Sequence, residues 1–197
     1  QLGTGHALMQ AQSYLDKDGF TLVLYGDVPL VSVDTLQKLI VTAQEKHCAL
    51  LTAVVEDPTG YGRIVRDSET EAVTAIIEQK DANRDQQSIC EINTGIMLVP
   101  NAYLHEWLPK LENKNAQHEY YLTDIIAMAA KQNVRVVSSQ PANLWEVMGV
   151  NNKRQLAELE RIYQKEYAGK LLDRGVSVAD PARIDIRGEL ICGSDVE

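Results

Sequence analysis

The sequence predicts an α/β domain built on a mixed sheet, followed by one long helix and the first turns of a parallel β-helix. Three observations carry this prediction. Up to Val150, short continuous apolar runs alternate with segments of helical periodicity, the pattern of strands and helices in turn. From Asn152 to Arg174 a single helical stripe continues without a breaker. Beyond Gly175, Val178, Ile184, Leu190 and Val196 recur every six residues, which fits neither a helix nor a simple strand but matches the hexapeptide unit of a parallel β-helix.

Taken in order, FTLVL at 20–24 is the continuous apolar run that a buried parallel strand requires, and it stops at Tyr25-Gly26-Asp27. Asp27 is thereby placed at the C-terminal end of a strand, where open α/β sheets hold their ligand crevice. VDTLQKLIVTAQEK at 33–46 carries Leu36, Leu39 and Ile40 at helical spacing, and Ala49–Val55 gives the next strand. After the turn-rich Asp57–Gly62, the segments Arg63–Arg66 and Val73–Ile77 read as short paired strands, which makes the sheet mixed. Ile96–Val99 reads as a strand, Tyr103–Leu111 and Thr123–Lys131 as helices, Val134–Val137 as a strand and Leu144–Val150 as the last strand of the domain. The helix over 152–174 presents Leu156, Leu159, Ile162, Tyr163, Tyr167 and Leu171 along one face. The domain boundaries that follow are 1–151, a connecting helix over 152–175, and β-helix repeats over 176–197.

Composition narrows the class of function. The 197 residues, 45% hydrophobic and 24% charged, suit one sizeable globular core. A net charge of −9 without a basic cluster excludes a nucleic-acid backbone as partner. A single nucleotide remains open, because backbone N–H groups and a metal ion can hold its phosphates. No apolar run nears the ~20 residues that span a bilayer, and no basic region followed by an apolar stretch opens the chain, so the reading is cytosolic. Cys48, Cys90 and Cys192 lack metal or redox spacing and read as buried reduced thiols; His6, His47, His105 and His118 share no spacing that suggests a metal cluster. The chain opens on Gln1, which predicts a start inside a larger gene product.

Several candidate site residues also have an ordinary structural alternative. Asp27 is a metal ligand or a turn aspartate, with the neighbouring Gly26 allowing close backbone approach. Thr4 in Gly3-Thr4-Gly5 is a ligand contact or a helix cap, and Asn152 is placed to cap the long helix. Glu78 is a site carboxylate or a solvated strand residue, and Thr94-Gly95 is a further contact or a turn.

The segments LGTGHA (2–7), YGDVPL (25–30), DPTGYGRI (57–64), EINTGI (91–96), EYYLTDII (119–126) and GVNN (149–152), followed by hexapeptides, resemble in that order the bacterial bifunctional N-acetylglucosamine-1-phosphate uridylyltransferases and glucosamine-1-phosphate acetyltransferases. The resemblance implies a Rossmann-like nucleotidyltransferase domain and a left-handed β-helix. It implies that UTP and N-acetylglucosamine 1-phosphate give UDP-N-acetylglucosamine and pyrophosphate with Mg²⁺, by positioning and charge neutralisation. On it, Asp27 and Asn151 match metal ligands, with Asn152 the alternative to Asn151, Gly3 and Thr4 the uracil contact, Tyr25 and Gly26 the lining of the cleft, Gly62, Glu78 and Asn93 the holders of the sugar, and Glu119-Tyr120-Tyr121 a structural element near the sugar site. The family's first strand, its basic Gly-rich loop and a downstream lysine have no counterpart in the sequence. The resemblance therefore implies that the 197-residue chain alone is inactive, that acetyl-CoA binds only beyond Glu197, and that the full-length parent is a homotrimer. Alternatives are a related sugar-1-phosphate nucleotidyltransferase, a non-catalytic nucleotide-sugar-binding module and a structural assembly protein.

Overall fold

In the computed structural model, which describes residues 2–43 and 47–196, the apolar runs form a six-stranded mixed sheet. Its strands are β1 (Phe20–Val23), β2 (Cys48–Val54), β3 (Arg63–Arg66), β4 (Val73–Ile77), β5 (Glu91–Pro100) and β6 (Val136–Ser139). β5 is antiparallel to β1, β2 and β3, whereas β2 and β6 run parallel. β3 and β4 form the antiparallel pair that their sequences predict.

The helices are α1 (Thr4–Ala11), α2 (Val33–Ala43), α3 (Arg84–Gln87), α4 (Asn101–Trp107), α5 (Asp124–Lys131) and α6 (Lys153–Asp173). The last three residues of the helix predicted over 33–46 lie outside the described residues. Leu50, Met97 and Val99 meet Leu104, Trp107 and Leu108 near α4 and Ile125, Ile126 and Ala129 of α5 in one buried cluster. The alternate residues Ala49, Leu51, Ile96 and Leu98 are buried on the opposite face, where α2 supplies Leu39 and Ala43.

The chain divides into two compact units, residues 1–25 with 31–142 and residues 26–30 with 143–197. The whole sheet and α1 to α5 belong to the first. The second contains α6, whose buried line runs through Leu159, Gln164, Ala168 and Leu171. Residues 176–196 lie along it: Gln164 accepts from Ile186 N (2.8 Å) and donates to Ile186 O (3.0 Å).

Several expectations are corrected. β1 is not parallel to its neighbour, and Phe20 and Leu24 are exposed, because its partner among the described residues is the antiparallel β5. Leu144–Val147 is a 3₁₀ turn rather than a strand, closed by reciprocal bonds between Asn143 and Glu146. Leu156 and Tyr163 of the predicted stripe are exposed, and the polar Gln164 is buried in their stead. Cys48 alone is a buried thiol; Cys90 is exposed and Cys192 half-buried. The predicted hexapeptide segment forms no strand among the described residues after α6. The segment nonetheless closes on itself, with Ser177 N donating to Val196 O and Asp195 N to Gly175 O, both at 2.8 Å.

Candidate functional site

EINTGI is not a turn but an irregularity inside β5. Between Leu50 and Thr52 of β2, the pairing residue on β5 jumps from Met97 to Asn93, so extra residues bulge from the ladder. Thr94 makes good the lost pairing: its hydroxyl donates to Leu51 O at 2.7 Å and lies 3.3 Å from Ile96 N. Gly95 takes φ +87°, a conformation side chains resist, and its N–H donates to Asn93 Oδ1 at 3.2 Å. Bulges of this kind re-aim a side chain, here Asn93.

Gly62 lies beside it, its carbonyl accepting from Asn93 N at 2.8 Å. A Cβ at Gly62 would sit 3.0 Å from Ile76 Cγ2 and 3.4 Å from Glu78 Oε2, which sets Gly62 against the Glu78 carboxylate. Thr123 donates to Glu78 Oε1 at 2.8 Å. Burial raises the Glu78 carboxyl above its ordinary range, Thr123 opposes that rise, and the charge of Asp81 adds to it. Asp124 is raised for the same reasons, burial first and then Glu78 and Asp81. The first unit therefore gathers Gly62, Glu78 and Asn93, which the sequence had singled out, with Tyr121, read there as part of a structural element near the sugar site, and with Thr123 and Asp81, to which it had given no site role. The helix-start position of Thr123 and the acidic Asp81 were visible, but nothing in their spacing linked them to Glu78.

In the same unit, Gly3 is the N-cap of α1 and Thr4 is its first residue; no side chain caps the helix, which corrects the reading of Thr4 as the cap. Thr4 Oγ1 instead accepts from Leu122 N at 3.2 Å, and its own proton remains available in an exposed position. Tyr25 packs against Gly95.

The second unit holds Gly26, Asp27 and Asn151. Asp27 O accepts from Val150 N at 2.8 Å, which sets Asp27 beside Asn151. Asn152 is the N-cap of α6, its Oδ1 accepting from Arg154 N and Gln155 N at 3.0 Å each. That side chain is committed to the helix, whereas the exposed side chains of Asp27 and Asn151 have no hydrogen-bond partner among the described residues. A carboxylate and an amide oxygen, both unengaged, are the donor set that suits a hard cation such as Mg²⁺. No group of three His, Cys, Asp or Glu is placed to hold a metal among the described residues, so a cation here would draw its remaining ligands from phosphate and water. Among those residues no helix is long and apolar enough to cross a membrane.

Comparison with known proteins agrees with this architecture. Residues 1–165 match the nucleotidyl transferase family. The chain is 65% identical over 196 residues to the bifunctional protein GlmU of Nitrosospira multiformis, and 59% and 57% identical to the proteins of that name from Cupriavidus metallidurans and Nitrosomonas eutropha. All of this chain is covered in each case, but it spans only 43% of the length of each relative. Among solved structures, a UDP-glucose pyrophosphorylase complexed with UDP-glucose superposes with a TM-score of 0.65 at 18% identity, covering 84% of this chain and 64% of that one. A putative glucose-1-phosphate thymidylyltransferase from Bacillus anthracis gives 0.60 at 18%, covering 91% and 64%. These two share the fold.

Proposed function

The chain belongs to the nucleotidyl transferase family, and from that premise we propose that it supplies the sugar-holding and metal-holding parts of a uridylyltransferase acting on N-acetylglucosamine 1-phosphate. The observation that carries this reading is the grouping of Gly62, Glu78 and Asn93 around a bulge in β5. A carboxylate and an amide lie next to a glycine whose carbonyl holds the amide residue's N–H. Such a set pairs sugar hydroxyls and an acetamido group, and is left unsatisfied by a ligand lacking them.

In the proposed reaction a phosphate oxygen of the sugar phosphate attacks the α-phosphorus of UTP. The new bond joins that oxygen to phosphorus, the α–β bridging bond breaks, and pyrophosphate departs. Positioning and charge neutralisation are the protein's tasks in such a displacement. Gly3 and Thr4 would contact uracil, Tyr25 and Gly26 would line the cleft, and Asp27 and Asn151 would hold Mg²⁺. The cation would neutralise charge on the phosphates. The domain limits 1–151, 152–175 and 176–197 belong to the same proposal, supported for the last by the closed coil from Gly175 to Val196. A cytoplasmic setting fits a reaction on soluble nucleotides.

The sequence holds no Gly-rich basic loop for a triphosphate, which favours a second statement: the 197 residues alone bind UDP-N-acetylglucosamine without forming it. Loss of such contacts typically costs ~3 kcal/mol or more each in the transition state. The test is calorimetric titration of the 197-residue chain with UDP-N-acetylglucosamine and UDP-glucose, alongside Mg²⁺-dependent pyrophosphate release by the complete gene product that carries it. Tighter binding of the N-acetylated sugar nucleotide, and activity abolished by Asp27→Ala, are the outcomes expected. Preference for UDP-glucose would assign a different sugar phosphate, and unimpaired Asp27→Ala activity would remove the metal assignment.

A further inference from the structure

Residues 119–123 lie between the loop at Gly3-Thr4 and the residues around Glu78, and residues 120–123 bond to both. The even-numbered residues use their backbone: Tyr120 N donates to Leu2 O (2.8 Å), Gly5 N to Tyr120 O (2.8 Å), and Leu122 N to Thr4 Oγ1 (3.2 Å). Tyr121 and Thr123 use their side chains: Tyr121 OH donates to Asp81 Oδ2 (3.2 Å) and Thr123 Oγ1 to Glu78 Oε1 (2.8 Å).

The segment is stiff. Tyr121, Leu122 and Thr123 are 8%, 1% and 4% exposed, and Leu122 is packed in the cluster with Ile125 and Ile126 of α5. Contact with the loop at Gly3 leaves no slack either: a Cβ would lie 2.6 Å from Tyr120 O if built at Gly3 and 2.9 Å from it at Gly5. A shift of the loop therefore moves the backbone of 120–122, and close-packed neighbours pass that displacement on rather than absorb it.

We propose that residues 119–123 form a strap coupling the loop at Gly3-Thr4 to Glu78, so that a base bound at one end organises the carboxylate for a sugar at the other. This rests on the reading of Gly3-Thr4 and Glu78 as base and sugar contacts. Tyr121 and Thr123 are then positioning residues whose effect crosses the site. Coupling between two ligands is reciprocal, so each end reports on the other.

The experiment uses the complete gene product and two half-ligands, uridine 5′-monophosphate and N-acetylglucosamine 1-phosphate, titrated separately. Tyr121→Phe and Thr123→Val, both on the sugar side, are expected to weaken uridine monophosphate about fivefold or more. Thr4→Val is expected to weaken the sugar phosphate comparably. Thr123→Ser, which keeps the hydroxyl, restores wild-type affinity for both, a rescue that loss of folding would not show. If each variant weakens only the ligand on its own side, the strap is overturned while the assignment of the two ends survives. If the wild-type protein binds neither half-ligand, the functional reading falls and the strap with it.

Discussion

The ring of Tyr25 occupies the space that a side chain at residue 95 would need: a Cβ built on Gly95 would sit 1.7 Å from Tyr25 Cε2. Gly95 also holds φ +87°. One glycine thus permits both the bulge that aims Asn93 and the seat of an aromatic residue at the end of β1.

Gly95→Ala should therefore cost stability twice, through the positive φ and through displacement of the ring. The backbone term alone is about 1–2 kcal/mol. Urea denaturation of Gly95→Ala, Tyr25→Ala and the double variant should show non-additivity, since removing the ring removes the clash. Additive losses would mean that the ring and the glycine do not constrain each other.

Glu78 should show opposed effects on stability and binding. Its carboxyl is raised in the fold, so the folded protein loses stability as pH rises from the unfolded value of 4.5 through the higher folded value. Glu78→Gln should raise Tm at neutral pH and leave it unchanged well below pH 4.5, where the native side chain is neutral in both states. The same substitution should weaken N-acetylglucosamine 1-phosphate by roughly 10-fold or more, the worth of one hydrogen bond to a charged group. A lower Tm at neutral pH would contradict the burial argument.

Glu91 behaves in the opposite sense. Burial works against its charge, but the Arg66 guanidinium, bonded to both carboxylate oxygens at 2.7 and 2.8 Å, outweighs burial and lowers the carboxyl. The stability this pair contributes is complete above the ordinary value of 4.5 and is lost as pH falls through the lower folded value. Arg66 also donates to Ser138 Oγ at 2.8 Å, tying β3 to β6 as well as to β5. Arg66→Met should cost about 1–3 kcal/mol at neutral pH, shrinking in acid. Equal loss at both pH values would show that packing, not the ion pair, is responsible.

Gln164 pins residues 176–196 to α6 through both backbone groups of Ile186. Gln164→Leu keeps the volume but leaves an N–H and a carbonyl unpaired, at about 1–3 kcal/mol for each that stays buried. Limited proteolysis should then cut near Ile186 several times faster than in the wild type. Unchanged cleavage would show that other contacts hold this segment.

The legibility of each element follows from how local its cause is. β3 and β4 were readable because each is a short run joined by a turn, and α6 because its cap, Asn152, and its terminator, Gly175, are adjacent to the helix they bound. The antiparallel neighbour of β1 was not readable, since FTLVL records that a strand is apolar and not which strand lies next to it. Leu144–Val150 looked like a strand because a short apolar run does not distinguish a strand from a buried turn, and the reciprocal Asn143–Glu146 bonds that close Leu144–Val147 into a 3₁₀ turn are a matter of geometry.

The sequence by itself determined the α/β class, the capping of α6 and the short motifs whose order points to the nucleotidyl transferase family, because these depend on propensity, periodicity and residue type close along the chain. Tertiary structure alone decided that EINTGI is a bulge seating Tyr25, that Thr123 and Asp81 attend Glu78, and that a glutamine belongs in the buried line of α6. Those outcomes hang on hydrogen bonds and steric contacts between residues such as Thr123 and Glu78, or Tyr25 and Gly95, which are distant in the chain and become neighbours only when the sheet forms.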